Sequence, residues 1–407
     1  MQFGLLGRSL AHSLSPEIHA FFGDYPYALY CREENELPAF FADRSIDGFN
    51  VTIPYKFAAF RACDTLSEKA KRIGAVNTVL RRKDGTLFGD NTDWFGFSYL
   101  AKRCGVSFAG KKVVVLGSGG ASQTVQVVAK DQGAKAVVVI SRKGEDNYDN
   151  LSRHFDAEIL VNATPVGMYP HNLQSPVSLD GFNRLEAVLD LIYNPMETAL
   201  LRQAKEKGVV CGNGLAMLVA QALPAARLFT GKDLPDSLIE TTIAAIEQQR
   251  RNLILIGMPG CGKTTVGKLL SQAAGKAFCD TDAMVEASAG TTIPAIFASQ
   301  GETAFRDMET AAVKEAGKQL SAVIATGGGS VLREENRAAL QQNGVMIYLR
   351  KDLSQLARDG RPLSKDAEAV RKLYEERKSI YETFADYIID VDDDPQITTE
   401  RVITCIS

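Results

Sequence analysis

The residues Gly257-Met258-Pro259-Gly260-Cys261-Gly262-Lys263-Thr264 place a cation and a hydroxyl directly behind a glycine-rich turn, matching G-x-x-x-x-G-K-[ST] at every fixed position. Phosphate binding is the chemistry open to such a stretch. Glycines let successive backbone N–H groups turn onto phosphate oxygens, and the start of a helix adds positive potential. Lys263 would reach the β/γ-phosphates of ATP and the Thr264 hydroxyl would ligate Mg²⁺. Gly257, Gly260, Cys261, Gly262, Lys263, Thr264 and Thr265 are thus expected to line that ligand. Cys261 is accessible enough there to be oxidised, although a small loop residue is the simpler role. Asp280 and Asp282 stand on alternate positions at the end of the next short apolar run. As strand-end residues they would aim both carboxylates at the metal and the phosphoryl acceptor.

A second group lies far upstream. Lys56 follows Asn50-Val51-Thr52-Ile53-Pro54-Tyr55, and Asp93 ends Gly89-Asp90-Asn91-Thr92. Each closes an apolar run, and a lysine and an aspartate brought together can work as a general acid/base pair. Ser13 and Ser15 present two hydroxyls to one point, suited to a carboxylate or a diol. Gly117-Ser118-Gly119-Gly120-Ala121-Ser122 follows the apolar run Lys112–Leu116 and reads as G-x-G-x-x-[small], the turn that admits a dinucleotide pyrophosphate. The next strand, Val137–Ile140, ends in Ser141-Arg142-Lys143. An acid there would bind a ribose 2′-hydroxyl; two cations without an acid favour a 2′-phosphate, hence NADP(H).

Apolar runs ending in glycine turns and followed by helical stretches position all of these groups, which is the α/β pattern. At 407 residues the chain exceeds one ordinary core. Residues 1–100 read as a substrate-binding α/β domain, 101–212 as a Rossmann dinucleotide domain, 213–249 as helices returning to the first domain, and 252–407 as an α/β phosphate-loop domain with a parallel sheet. Glu247–Arg251 has neither glycine nor proline and reads as a short connector. A formal net charge of −3 speaks against nucleic acid as a partner, and no apolar run is long enough for a bilayer. Seven scattered cysteines without a C-x-x-C pair suit reduced thiols in the cytoplasm. The amino-terminal apolar run reads as a strand, not a signal peptide. Small molecules are the expected partners. Oligomeric state is not encoded in any of these patterns.

In order, H-S-x-S-P-x-x-H, N-V-T-x-P-x-K, G-A-V-N-T, D-N-T-D-x-x-G, N-A-T-P-x-G-M, D-x-x-Y-x-P and M-L-x-x-Q-A occur over roughly residues 1–245. Together they resemble shikimate dehydrogenase. That resemblance implies Lys56 and Asp93 as the catalytic pair and Ser13, Ser15, Thr52, Asn77 and Gln221 as the grip on shikimate. It also implies Tyr193, Gly214 and Met217 beside substrate and nicotinamide. Ser9 and Ala20 depart from the family's usual Pro and Asn. From residue 252 onward, the phosphate loop with D-x-D, G-E-x-x-F-R-x-x-E, G-G-G, R-P-L and R-x-x-x-Y resembles shikimate kinase. There the resemblance implies shikimate bound by Asp282, Arg306, Gly328, Gly329 and Arg377, with Asp282 at the accepting hydroxyl. Asp280 would support Mg²⁺, Glu309 would brace Arg306, Arg361 would meet the transferring phosphoryl group and Arg358 would cover the adenine. Ser364 and Ser379 stand where Leu and Pro are usual. The expected function is reduction of 3-dehydroshikimate by NADPH followed by phosphorylation of shikimate by ATP. Alternatives are a first half that prefers quinate or NAD, and one half reduced to a binding module.

Overall fold

The computed structural model describes residues 1–11, 13–356 and 367–406. His12, Arg358 and Arg361 lie outside them. The chain divides into two compact units, Met1–Ala245 and Ile246–Ser407.

Unit 1 holds two sheets. The first comprises β1 (Phe3–Gly7), β2 (Tyr27–Cys31), β3 (Gly48–Val51), β4 (Thr65–Leu66), β5 (Thr78–Arg81) and β6 (Leu87–Asp90), in the order β2-β1-β3-β5-β6-β4. It is mixed: β3/β5 and β5/β6 run antiparallel, the other pairs parallel. The second comprises β7 (Lys112–Leu116), β8 (Ala136–Ile140), β9 (Ile159–Asn162), β10 (Ala187–Asp190) and β11 (Val210–Gly212), in the order β11-β10-β9-β7-β8, all parallel. Covered on both faces, its centre is continuously apolar, and Val113 to Leu116 are fully buried.

Unit 2 holds one parallel sheet of β12 (Asn252–Ile256), β13 (Ala277–Asp280), β14 (Ala322–Ala325), β15 (Gly344–Arg350) and β16 (Tyr387–Asp390), in the order β13-β14-β12-β15-β16. Leu253 to Ile256 form the middle of its core, with Val323, Ile324, Ile347 and Leu349 around them. In both parallel sheets the first strand lies between strands that follow it in sequence. That order creates a switch point, the place where open α/β sheets bind ligands at strand carboxyl ends. The connector expected at Glu247–Arg251 is mostly helical: helix Ser237–Arg250 includes residues 247–250, since nothing in their sequence interrupts it. No helix among the described residues is long and apolar enough to cross a membrane.

Candidate functional site

In unit 1, Lys56 opens helix Lys56–Ala62 after β3, and Asp93 opens helix Asp93–Arg103 after β6. Their side chains meet: Lys56 Nζ donates to Asp93 Oδ2 at 2.6 Å, with 16% and 9% of the two side chains exposed. A charge-assisted bond this sheltered fixes the amine while leaving one edge accessible. Behind the pair runs a buried hydrogen-bond network. Asn77 Nδ2 donates to Thr92 Oγ1 at 3.0 Å and to Gln221 Oε1 at 3.3 Å, and the Thr92 amide donates to Asn77 Oδ1 at 2.7 Å. Thr78 Oγ1 donates to Asn77 Oδ1, Asn50 Nδ2 donates to Thr78 Oγ1, and Tyr27 donates to Asn50 Oδ1 at 2.7 Å. Gln221 reaches this cluster because helices Asp93–Arg103 and Leu215–Thr230 touch at Gly96, where a Cβ would lie 2.5 Å from the Met217 carbonyl oxygen. The roles of Asn50, Thr78 and Thr92 were hidden inside motifs; burial of a polar side chain is the signal that exposes them.

Ser13 and Ser15 converge at the start of helix Ser15–Phe22, Ser13 Oγ donating to Ser15 Oγ at 3.3 Å. Four residues on, His19 is a core residue: burial pushes its imidazole pKa down to about 3, and its ring stacks on Tyr27. Thr52 follows β3, where its amide donates to the Leu6 carbonyl at 2.9 Å.

The dinucleotide turn lies next to the catalytic pair, since a Cβ on Gly120 would be 3.8 Å from Lys56 Cδ. Gly117 has φ +100° and closely approaches Ala163, which demands glycine on two counts. Gly119 has φ −78°, and a Cβ there meets nothing within 4 Å, so space is open in front of helix Gly120–Asp131. Ala121 is half-buried in its first turn. Such room at a helix N-terminus fits a pyrophosphate. Gly214 has a different reason: its Cβ would be 2.1 Å from the Leu191 carbonyl oxygen. Met217 is buried in the following helix, and Tyr193 is half-buried after β10. At the end of β10 Asp190 accepts from Thr198 Oγ1 at 2.7 Å, Asn162 Nδ2 at 3.0 Å and the Ile192 amide at 3.1 Å. Burial nonetheless raises the Asp190 pKa to about 6.

Ser141 is half-buried at the end of β8, and Arg142 and Lys143 are exposed beside it. By sequence alone no acid stands at that end. Beyond Lys143 the loop folds back so that the Ser141 amide donates to the Asp146 backbone carbonyl at 3.2 Å.

In unit 2 the loop from Gly257 to Gly262 leads into helix Lys263–Ala274, and Lys263 Nζ donates to the carbonyls of Gly257 and Met258 at 2.8 and 2.9 Å. Cys261 is buried rather than accessible, 1% exposed. Thr264 Oγ1 donates to Asp280 Oδ2 at 2.8 Å, and Thr265 follows it, exposed, in the first helical turn. Asp282 is not on the strand as expected. Asp280 Oδ1 accepts from the Asp282 amide and so caps helix Thr281–Ala289, which places Asp282 in its first turn. The carboxylate still faces the site: a Cβ on Gly327 would lie 2.6 Å from both Asp282 Oδ1 and Glu309 Oε1. At Gly328 a Cβ would strike Pro259 of the phosphate loop, and at Gly329 it would be 2.3 Å from Arg306 Nη1. Close approach, more than flexibility, therefore explains the three glycines. Arg306 donates to Glu309 at 2.8 Å and to Glu302 at 3.2 Å, and Glu309, fully buried, also accepts from Ser330 Oγ at 2.7 Å. Arg377 is 3% exposed, and its buried Nε has no partner among the described residues. Tyr381, one helical turn on, donates to the Gly328 carbonyl and stacks on Tyr348.

A family profile described as shikimate dehydrogenase substrate binding domain matches residues 5–79, and one described as shikimate kinase matches residues 259–407. A shikimate dehydrogenase (NADP(+)) of Clostridium perfringens is 38% identical over 250 residues, covering 56% of this chain and 92% of that protein. The structure of a chorismate mutase/shikimate 5-dehydrogenase fusion protein from Clostridium acetobutylicum matches with TM-score 0.58 at 35% identity, over 61% of this chain and 97% of that one. A Thermus thermophilus shikimate 5-dehydrogenase, solved with NADP(H) and shikimate, gives 0.55 at 35% identity, over 60% and 99%. The chain thus belongs to the shikimate dehydrogenase family through its first unit and carries a shikimate kinase domain in its second.

Proposed function

We propose that unit 1 reduces 3-dehydroshikimate to shikimate with NADPH and that unit 2 phosphorylates the resulting 3-hydroxyl with ATP. The observation that carries this reading is the Lys56–Asp93 pair, 2.6 Å apart and adjoining the open dinucleotide turn at Gly120. Bound NADPH supplies the hydride. Lys56 donates from Nζ to the substrate oxygen as negative charge builds there, while Asp93 orients the amine and a neighbouring hydroxyl. Asn77 and Gln221, locked by Thr92, hold ring hydroxyls, and Ser13, Ser15 and Thr52 hold the carboxylate end. Tyr193, Gly214 and Met217 flank the reacting face, and Ser141, Arg142 and Lys143 meet the 2′-phosphate.

In unit 2, Arg306 and Arg377 grip the shikimate carboxylate, with Glu309 and Ser330 keeping Arg306 in place. Gly328 and Gly329 let the ring approach the backbone, and Asp282 accepts the proton of the attacking hydroxyl. Lys263 exchanges its two carbonyl partners for phosphate oxygens, stabilising charge on the transferring group. Mg²⁺ would be held by Thr264 and Asp280. Its remaining positions would go to water and phosphate, the usual shell for this ion, and no cluster of three or more ligating side chains occurs among the described residues. Arg358 and Arg361 are proposed at adenine and phosphoryl group from the family motif alone. A small-molecule enzyme of the cytoplasm follows from this reading. The test is a two-signal assay: 3-dehydroshikimate should consume NADPH, and ATP added afterwards should release ADP. Absence of either signal defeats the corresponding half.

A further inference from the structure

The backbone of Asp146 returns to the end of β8, beside the residues proposed to meet the 2′-phosphate. This point rests on the NADP reading above. Asp146 is tied by its backbone to Ser141, the first residue after the strand, through a 3.2 Å bond. Its carboxylate is engaged: Oδ1 is 2.8 Å from His154 Nε2, with 34% and 13% of the two side chains exposed. A carboxylate only accepts, so Nε2 carries the proton. The His154 Nδ1 atom is buried without a partner among the described residues, so the ring's one made bond is to Asp146. The loop between them is knitted independently, by Asn150 Nδ2 to the Glu145 carbonyl at 2.8 Å and by the Asn147–Asn150 capping pair. Glu145 and Asp149, the segment's other acids, are exposed.

We propose that His154 is a specificity-positioning residue: by holding the Asp146 carboxylate, it leaves the Ser141–Lys143 end of β8 to a 2′-phosphate and thereby sets the preference for a 2′-phosphorylated dinucleotide. Released, Asp146 would repel a 2′-phosphate and accept a 2′-hydroxyl.

The experiment measures binding of adenosine 2′,5′-bisphosphate and of AMP by calorimetry, alongside KM for NADPH and NADH, on the full chain. The proteins are the parent, His154→Ala, Asp146→Asn and the double variant. In the parent the bisphosphate should bind more tightly. His154→Ala should lose about tenfold of that preference, the scale of one close like-charge contact near a surface. The loss should appear in KM rather than kcat. Asp146→Asn should keep the preference, and the double variant should regain it. A His154→Ala protein with parental preference overturns the proposal. So does a double variant as impaired as His154→Ala, which would make His154 a loop support only. A parent without any preference for the bisphosphate instead removes the NADP reading, and the proposal with it.

Discussion

The two glycine turns occupy the same topological position, each following the first strand of a parallel sheet, yet they handle charge differently. Gly117–Ser122 contains no cation, whereas the turn in unit 2 runs straight into Lys263, folded back on its own carbonyls. The contrast follows what must happen to the phosphates. A dinucleotide pyrophosphate is only held, so backbone amides and a helix end suffice. A transferred phosphoryl group gains charge during the reaction, so a mobile cation belongs beside it. Unit 1 puts its sheltered cation elsewhere, at Lys56, facing the turn and paired with Asp93. In each unit a sheltered lysine stands where the proposed reaction develops charge.

Removing those lysines breaks the comparison most severely. Lys56→Ala should lower reductase kcat by ~10²–10⁴-fold, the contribution of a positioned general acid, and leave kinase turnover unchanged. NADPH oxidation near the parental rate would end the assignment. Lys263→Met should lower kinase kcat by ~10²–10³-fold, on the scale of one lost charge-stabilising donor, with reduction unaffected. If the two turns used charge alike, a Gly119→Lys variant would tighten NADPH binding; a lysine in the open space before the helix should instead obstruct the pyrophosphate and raise KM.

Smaller substitutions sharpen the same contrast, because the two turns need glycine for different reasons. Gly119 has an ordinary φ and empty surroundings. Gly119→Ala should therefore fold normally and raise KM for NADPH about tenfold, since only the ligand contests that volume. Gly262 has φ +98° with equally empty surroundings. Gly262→Ala should cost ~1–2 kcal/mol of backbone strain and show it as lost stability in unit 2, read by urea unfolding. Equal folding penalties for the two variants would erase the distinction.

What could be read in the sequence was whatever is local. The strand–turn–helix units show as apolar runs broken by glycine, and Lys263 and Thr264 follow from eight consecutive residues. Lys56 and Asp93 each close an apolar run, although only the fold brings them to 2.6 Å. Three features were not legible, for physical reasons. Gln221 meets Asn77 across 144 residues through two helices whose contact depends on Gly96. Asp282 moved from strand to helix because one side-chain cap at Asp280 outweighed the alternation of the residues. Asp146 returned to the end of β8 through a backbone bond that no residue type announces.

The smallest effect separates binding from folding in unit 1. Asp190 ends β10, with a folded pKa of about 6 against an unfolded value near 3.9. An acid whose pKa is raised on folding binds its proton more tightly in the folded state. Its contribution to stability is therefore present below about pH 4 and is lost as pH rises to about 6. Asp190→Asn keeps an acceptor for the Ile192 amide and removes the buried charge. The stability difference, variant minus parent, should consequently grow between pH 4 and 6 and stay level above that. Trp94, the single tryptophan, belongs to unit 1, and its fluorescence during urea unfolding reads that unit alone. A difference independent of pH would mean that the Asp190 proton is not retained. The three donors would then compensate a full charge in the core without a cation, whereas the buried Glu309 of unit 2 is paired with Arg306.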